Sequence, residues 1–336
     1  MKAIGYYQPL PIDNPESLQD IELPAPVAGP RDLLVRVKAI SVNPVDTKVR
    51  RNMAPEAGQA KVLGWDAAGT VEAIGAGVKN FKVGDRVYYA GSIVRPGANA
   101  ELHAVDERIA ALAPRSLDDA QAAALPLTTI TAYELLFDRL RVPKNGGAGQ
   151  TLLVTGGAGG VGSILIQLAR QLTQLRVVAT ASRAETRAWC LALGAHAVID
   201  HSKPLAAELQ AAGIGEVDMV ASLTQTGQHY AQIIESLKPQ GQFAVIDDLP
   251  ALDAMPLKTK CISLHWEMMF ARSRFETPDI AEQGALLAEV AALVDAGRIR
   301  TTANASFGTI NAANLRKAHA LIESGKAQGK VVLAGF

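Results

Sequence analysis

The rhythm of hydrophobic and polar positions changes once along the chain, near Pro126. Before that point, apolar residues come in short runs cut by Gly and Pro, the pattern of strands joined by tight turns. Residues 33–40 read as a strand, residues 69–75 alternate apolar and polar positions until Gly77 breaks them, and residues 83–87 form a turn that feeds another strand. This part is expected to be an irregular β-barrel. After Pro126 the texture is different: residues 131–140 have helical spacing, residues 151–155 are an apolar run, and Ile164, Leu165, Leu168, Ala169 and Leu172 share one helical face. A strand at 176–180 and a helix at 184–193 closed by Gly194 follow, with a glycine where a helix needs its C-terminal stop. Further strands at 197–199, 218–221 and 243–246 continue the alternation, with a helix ending near residues 238–241 before the last. Strand–helix repeats of this kind predict a doubly wound parallel sheet. Residues 329–333 are strand-like again and are expected to return to the first part.

Composition narrows the picture. At roughly 150 residues per domain, 336 residues suggest two domains. Lys and Arg number 33, as do Asp and Glu, so there is no excess positive charge to capture nucleic acid or an anionic membrane. Hydrophobic residues make up 49% and mean hydropathy is +0.12, ample for buried cores and incompatible with a disordered chain. No stretch approaches the roughly 18 uninterrupted apolar residues of a membrane span. Residues 1–6 carry no apolar leader, so a cytoplasmic protein is expected. Cys190 and Cys261 stand alone, which excludes a disulfide framework and a Cys-rich metal site.

The chemistry concentrates in residues 155–162. Gly157, Gly159 and Gly162 make a G-x-G-x-x-G pattern directly after a strand and at the opening of an amphipathic helix. In that context the glycines permit a tight turn and let the backbone approach a pyrophosphate, while the helix N-terminus offers free N–H groups. Gly156, Gly157, Ala158, Gly159, Gly160, Val161 and Gly162 are therefore the candidate dinucleotide cradle. An NAD site usually places an acid at the tip of the second strand. Here the tip is Ser182-Arg183, with Arg187 one helical turn on, and these groups suit a 2′-phosphate. NADPH is the expected cofactor. The competing reading makes Arg183 and Arg187 solvated helix charges paired with Glu185.

Taken in order, Asn43-Pro44-Val45-Asp46-Thr47-Lys48, Gly64-Trp65-Asp66 with Gly69, the turn at 83–87, residues 125–133, the glycine loop, Leu193-Gly194-Ala195 and residues 329–333 carry a specific likeness. The chain resembles the medium-chain dehydrogenase/reductase superfamily, in its quinone oxidoreductase branch and the zinc-type alcohol dehydrogenase-like proteins. The resemblance implies an α/β fold. A GroES-like β-barrel catalytic domain (1–125 and 303–336) would accompany a Rossmann domain (126–302), with an active site in the cleft between them and a homodimer or homotetramer. Zinc-dependent relatives carry a Cys early in the chain, a Gly-His-Glu motif and a second Cys before the Thr-Ala or Thr-Gly segment. Here those regions read Asn43-Pro44-Val45-Asp46, Gly64-Trp65-Asp66 and Leu127, and residues 91–101 contain none of the cysteines of a structural zinc lobe. Carboxylates without Cys or His are poor zinc ligands, so no metal is expected.

Without a metal, the accessible chemistry is hydride transfer to a quinone or an α,β-unsaturated carbonyl, where a hydrogen bond can hold the developing oxyanion. The resemblance makes Lys48 the candidate catalytic group; the plain alternative is a surface lysine beside Arg50 and Arg51. It places Asn43, Asp46 and Trp65 around the substrate, and Thr131, His201, Leu223 and Ile246 at the cofactor, although His201 reads equally well as a surface-loop residue. His103, His196, His229, His265 and His319 fit no constellation. The apolar residues 263–272 read as buried core, or as a subunit contact if their edge is exposed. An alcohol or aldehyde reductase and a non-catalytic NADPH-binding protein are the competing functions.

Overall fold

In the computed structural model, which describes residues 1–336, the strand-rich rhythm of the N-terminal part becomes two sheets. The pivot is Asp32–Val42, whose Leu33, Val35, Val37 and Ala39 are buried at every second position, as a pleated strand with one covered face requires. One flank pairs antiparallel with Ala67–Ile74. The other is shared, with Leu102–Asp106 along the first half and Lys330–Ala334 along the second. Ala303–Ser306 extends the sheet beyond Lys330–Ala334, and Arg86–Tyr89 and Ala110–Leu112 extend it beyond Ala67–Ile74. A smaller sheet joins Gln19–Glu22, Lys2–Tyr6 and Lys61–Val62. The C-terminal strand thus returns to the N-terminal sheet, as its apolar run predicts.

A helix, Pro44–Asn52, leaves the end of the pivot strand. Pro44 pre-sets the first helical φ, Asp46 accepts the Asn43 N–H at 2.7 Å, and Arg50 and Arg51 face the negative end of the helix dipole. Arg50 is fully buried and pairs with Glu323 and the Leu10 carbonyl.

The chain divides into two units, residues 1–130 with 270–336, and residues 131–269. This differs from the sequence boundaries chiefly at 270–302, which groups with the N-terminal sheet. The reason is packing: the helix Glu282–Asp295 lies on the Ala110–Leu112 strand, and buried Tyr88 donates its hydroxyl to the Leu287 carbonyl at 2.6 Å.

Residues 131–269 form a six-stranded parallel sheet. Its order is Ala197–Ile199, Arg176–Thr180, Thr151–Thr155, Val217–Ser222, Leu237–Val245, Ser263–Trp266. Helices cover both faces, so Thr151–Thr155 is buried at every position and shows no alternation. Leu153, Val178, Val220, Phe243 and Val245 form the core on one face. Truncating fully buried Leu153 to Ala would cost about 2–5 kcal/mol. The helix Thr226–Ser236 stops earlier than its periodicity suggests, because the strand Leu237–Val245 begins at once. The single helix expected at 131–140 is instead the end of an α-helix, Pro126–Glu134, running into a π-helical turn, Leu135–Arg139. Single π-helical turns of this kind are rare and occur mostly within or at the end of α-helices.

Candidate functional site

In the N-terminal unit, three distant segments converge on one buried carboxylate. Asp66 lies just before the Ala67–Ile74 strand and is fully buried. Its Oδ1 accepts the Leu127 N–H at 2.7 Å, at the start of the Pro126–Glu134 helix, and its Oδ2 accepts Asn43 Nδ2 at 2.8 Å. The same Oδ2 lies 3.0 Å from Lys330 Nζ. Lys330, also buried, donates to the Val42 carbonyl at 3.0 Å and to Asn43 Oδ1. Asp46 closes the other side, accepting Asn43 N–H on Oδ2 and Gly64 N–H on Oδ1 at 3.0 Å. Burial pushes the Asp46 carboxyl up to about 7, against the pull of the Asn43 N–H and of Lys330. Burial raises Asp66 too, and Lys330, Asn43 and the Leu127 N–H pull it back. The ion pair in direct contact is Asp66 with Lys330.

Asn43, Asp46 and Trp65 therefore belong to one network. The Trp65 carbonyl accepts Asn43 Nδ2 at 3.4 Å, its indole N–H donates to the Ser92 carbonyl at 3.1 Å, and its ring meets Phe270 edge-on at 6.0 Å. Trp65 is a wall held at both ends. Lys48 stands half-buried midway along Pro44–Asn52, two residues after Asp46. Asp66 and Lys330 are the two members that sequence reasoning did not assign. Both lie in quoted motifs, yet their partners are 287 and 264 positions apart in the chain, and the only local signal is a lysine opening an apolar strand.

In the second unit the glycine loop has the geometry that its motif requires. Gly156 adopts φ +66°, the left-handed region that favours glycine, and its N–H donates to Thr180 Oγ1 at 3.1 Å. A Cβ on Gly162 would lie 2.5 Å from the Gly156 carbonyl oxygen, so no larger residue fits the helix start. The helix Gly160–Leu172 begins at Gly159 without a side-chain cap, leaving its first-turn N–H groups without intrahelical partners. Gly159, Gly160 and Val161 are partly exposed there, while Gly157 and Ala158 are buried beneath them. Leu223 and Ile246 follow Val217–Ser222 and Leu237–Val245 at the carboxyl ends of neighbouring strands, where ligands of such sheets bind. Thr131 is buried in this unit.

The second-strand tip is less clear-cut than its sequence. Ser182 is exposed, and Arg183 forms a surface pair with Glu185 at 2.6 Å. Arg187 donates from its guanidinium to the Ala181 and Val198 carbonyls at 3.3 and 2.8 Å. These two bonds tie neighbouring strand ends together and use two of its five N–H groups. His201 is half-buried and lies edge-on to His229, ring centroids 6.1 Å apart. Burial, with His201 beside it, holds His229 below the usual histidine range. Of the remaining histidines, His196 accepts the Val177 N–H, and His103 bonds the Tyr89 hydroxyl and the Pro96 carbonyl.

A second carboxylate cluster was not anticipated. Glu134 and Glu267 are both buried, and Arg139, on the π-helical turn, reaches Glu267 at 2.7 Å and Glu134 at 3.7 Å. Burial, followed by the Glu134 charge, drives Glu267 up to about 9, which favours its protonated form beside Glu134.

Comparison with known proteins agrees with this architecture. Residues 29–115 match the alcohol dehydrogenase GroES-like domain and residues 193–333 match the zinc-binding dehydrogenase family. A zinc-type alcohol dehydrogenase-like protein of Staphylococcus aureus (strain MRSA252) is 39% identical over 336 residues, 99% of each chain. A structure from Rhizobium etli CFN 42, provisionally described as a zinc-dependent alcohol dehydrogenase, is 57% identical with a TM-score of 0.96, covering 100% of this chain and 98% of that one. Escherichia coli quinone oxidoreductase complexed with NADPH is 26% identical with a TM-score of 0.83, covering 99% and 100%. Zinc, which two of these descriptions name, is a poor fit to the residues present. The three regions where zinc relatives carry ligands do meet, at Asn43, Asp66 and Leu127, but Asn43 and Asp66 turn oxygens toward a buried lysine and Leu127 brings only a backbone N–H. No cluster of three or more His, Cys, Asp or Glu side chains could hold a metal ion. Matched along its whole length, the chain belongs to the zinc-type alcohol dehydrogenase-like proteins of the medium-chain dehydrogenase/reductase superfamily.

Proposed function

We propose that this oxidoreductase is zinc-independent and NADPH-dependent, and that it reduces quinones or α,β-unsaturated carbonyls. The observation that carries the reading is the Lys330–Asp66 ion pair, bonded through Asn43 and Leu127, in the segments where zinc relatives bind their metal. A reaction that needs a Lewis acid to steady an alkoxide is poorly served by such a site. Reduction of a conjugated carbonyl needs only a hydrogen-bond donor where charge develops. When bound, the nicotinamide supplies the hydride. The glycine loop and the first turn of Gly160–Leu172 would hold the pyrophosphate on backbone N–H groups. Lys48 would donate to the developing oxyanion, Trp65 and Asn43 would shape the substrate side, and Thr131 would face the nicotinamide.

NADPH selection would rest on Ser182 and Arg183. The Arg183–Glu185 pair is exposed and screened by solvent, so a phosphate can displace it. The Escherichia coli quinone oxidoreductase, complexed with NADPH, supports the same direction. The Ser263–Trp266 edge of the parallel sheet has no partner strand, and Trp266 and Met268 beside it are exposed. This supports a homodimer or homotetramer formed by edge pairing. An exposed free Cys261 suits the reducing cytoplasm. No helix is long and apolar enough to cross a membrane.

The test is NADPH and NADH oxidation against a panel of quinones, enones and simple aldehydes, with metal analysis of the same preparation. Turnover of quinones or enones with less than one zinc per chain and no loss to chelators is expected. Turnover confined to aldehydes or alcohols, lost when stoichiometric zinc is removed, would refute the reading.

A further inference from the structure

We infer that Lys330 is a positioning residue whose ammonium serves as the resident cation of an all-oxygen cage, holding in register the segments that carry Lys48 and Leu127. The inference deepens the metal-free reading above and rests on it for its link to turnover. The cage itself stands on geometry. An ammonium has three N–H donors, and Lys330 Nζ meets three acceptors, the Val42 carbonyl, Asn43 Oδ1 and Asp66 Oδ2. Each acceptor belongs to a different structural feature: the end of Asp32–Val42, the residue before Pro44–Asn52, and the approach to Ala67–Ile74. Asp66 relays the charge onward, since its other oxygen receives the Leu127 N–H in the first turn of Pro126–Glu134. A carboxylate at a helix start is favoured there by the helix dipole. Asn43, which opens the helix, ties that helix start to the cage: its side chain accepts from Lys330 and donates to Asp66.

The fit is specific to a cation on a chain. Lys330 is the first residue of Lys330–Ala334, whose pairing of Val331 with Val42 sets its side chain beside the Asn43 turn. The buried stem delivers the charge where neither Cys nor His is present. Removing the stem and its ammonium while keeping the oxygens should leave a vacancy for a small external cation.

The experiment compares wild type, Lys330→Ala, Lys330→Met and Lys330→Ala/Asp66→Asn. Each is titrated with n-propylammonium chloride against matched sodium chloride, and read by thermal midpoint and by steady-state rate on one quinone. Lys330→Ala should lose at least tenfold in kcat and melt lower, and propylammonium should restore both along one saturation curve. Lys330→Met, whose side chain fills the vacancy without charge, should stay impaired at every concentration, and the double variant should not respond. Equal responses of Lys330→Ala and Lys330→Met to propylammonium would overturn the inference, as would Lys330→Met with wild-type stability and rate. If Lys330→Ala does not fold in plain buffer, refolding in propylammonium should yield folded protein, and failure to do so overturns the inference equally. The thermal readout needs no substrate. Wild type inactive on every quinone and enone would therefore sink the proposed reaction while leaving the cage intact, and an unsaturable thermal response with active wild type would do the reverse.

Discussion

Two buried clusters set a pair of carboxylates against one cation, and they reach different ends. Around Lys330, the short side chains of Asp46 and Asp66 sit where the backbone turns, and three N–H groups (Asn43, Gly64 and Leu127) donate to them. Around Arg139, Glu134 and Glu267 reach in on longer stems and lean on the guanidinium and on each other. Burial opposes ionisation in both. Fixed backbone donors return much of that cost to Asp46, which rises only to about 7, whereas Glu267 rises to about 9. The difference teaches what offsets burial: an array of N–H groups, placed by the fold before any ion arrives, favours the charged carboxylate, whereas a second carboxylate opposes it.

The comparison can be broken most directly at Asp66. Asp66→Ala removes the acceptor of Lys330, Asn43 and Leu127 at once and strands a buried ammonium, so it should destabilise the protein by about 3–5 kcal/mol in denaturant titration. Loss of less than about 1 kcal/mol would mean that the cluster is incidental to the fold.

The glutamate cluster is sharpened by pH. The folded value of Glu267 lies above its ordinary 4.5, so the fold favours the protonated form. That stabilisation is complete at and below the ordinary carboxylate range and is lost as pH climbs toward about 9. Asp46 adds the same sign up to about 7. On the acid side, burial holds His103 down to about 4 and His319 to about 3, below the usual 6.5, so stability falls as pH drops through that window. Stability should therefore peak near pH 5–7. Glu267→Gln should flatten the alkaline limb, changing the folding constant near pH 9 by about tenfold or more, 1.4 kcal/mol. An unchanged alkaline limb would remove Glu267 from the account.

Lys48 asks whether the ordered helix presents chemistry as well as structure. Lys48→Ala should lower kcat on a quinone about tenfold with NADPH affinity nearly constant, because a contact to developing charge acts at the chemical step. Unchanged kcat would return it to a surface charge. The smallest effect belongs to the second-strand tip. Wild type should bind NADPH about tenfold tighter than NADH. Arg183→Ala should erode that ratio severalfold, while Arg187→Ala should lower stability and leave the ratio intact. Fluorescence titration with both nucleotides separates the two arginines.

How much of this could be read in the sequence follows from the range of the contacts. The glycine loop is legible because strand, turn and helix are contiguous, and Gly156 and Gly162 are required by geometry within seven residues. The parallel sheet is legible for the same reason, since its buried strands are unbroken apolar runs. The N-terminal cluster is not, because Lys330 and Asn43 meet only after the last strand has crossed back onto the first sheet. Arg187 shows the reverse case. Its charge and spacing fit a phosphate ligand, but no pattern in the chain shows that two of its donors go to the Ala181 and Val198 carbonyls. The grouping of residues 270–302 was hidden likewise, being decided by how Glu282–Asp295 packs and not by where the helical rhythm stops.

The Lys330 ammonium also bears on how the protein comes into service. A cation that is part of the polypeptide arrives with translation and needs no delivery, no matching supply in the cell and no insertion step after folding. It cannot be stripped by a competing ligand or swapped for a wrong ion when nutrients change. What it gives up is adjustability: its valence is fixed at one, and with all three N–H groups already engaged by Val42, Asn43 and Asp66 it has no open position to offer an incoming oxygen.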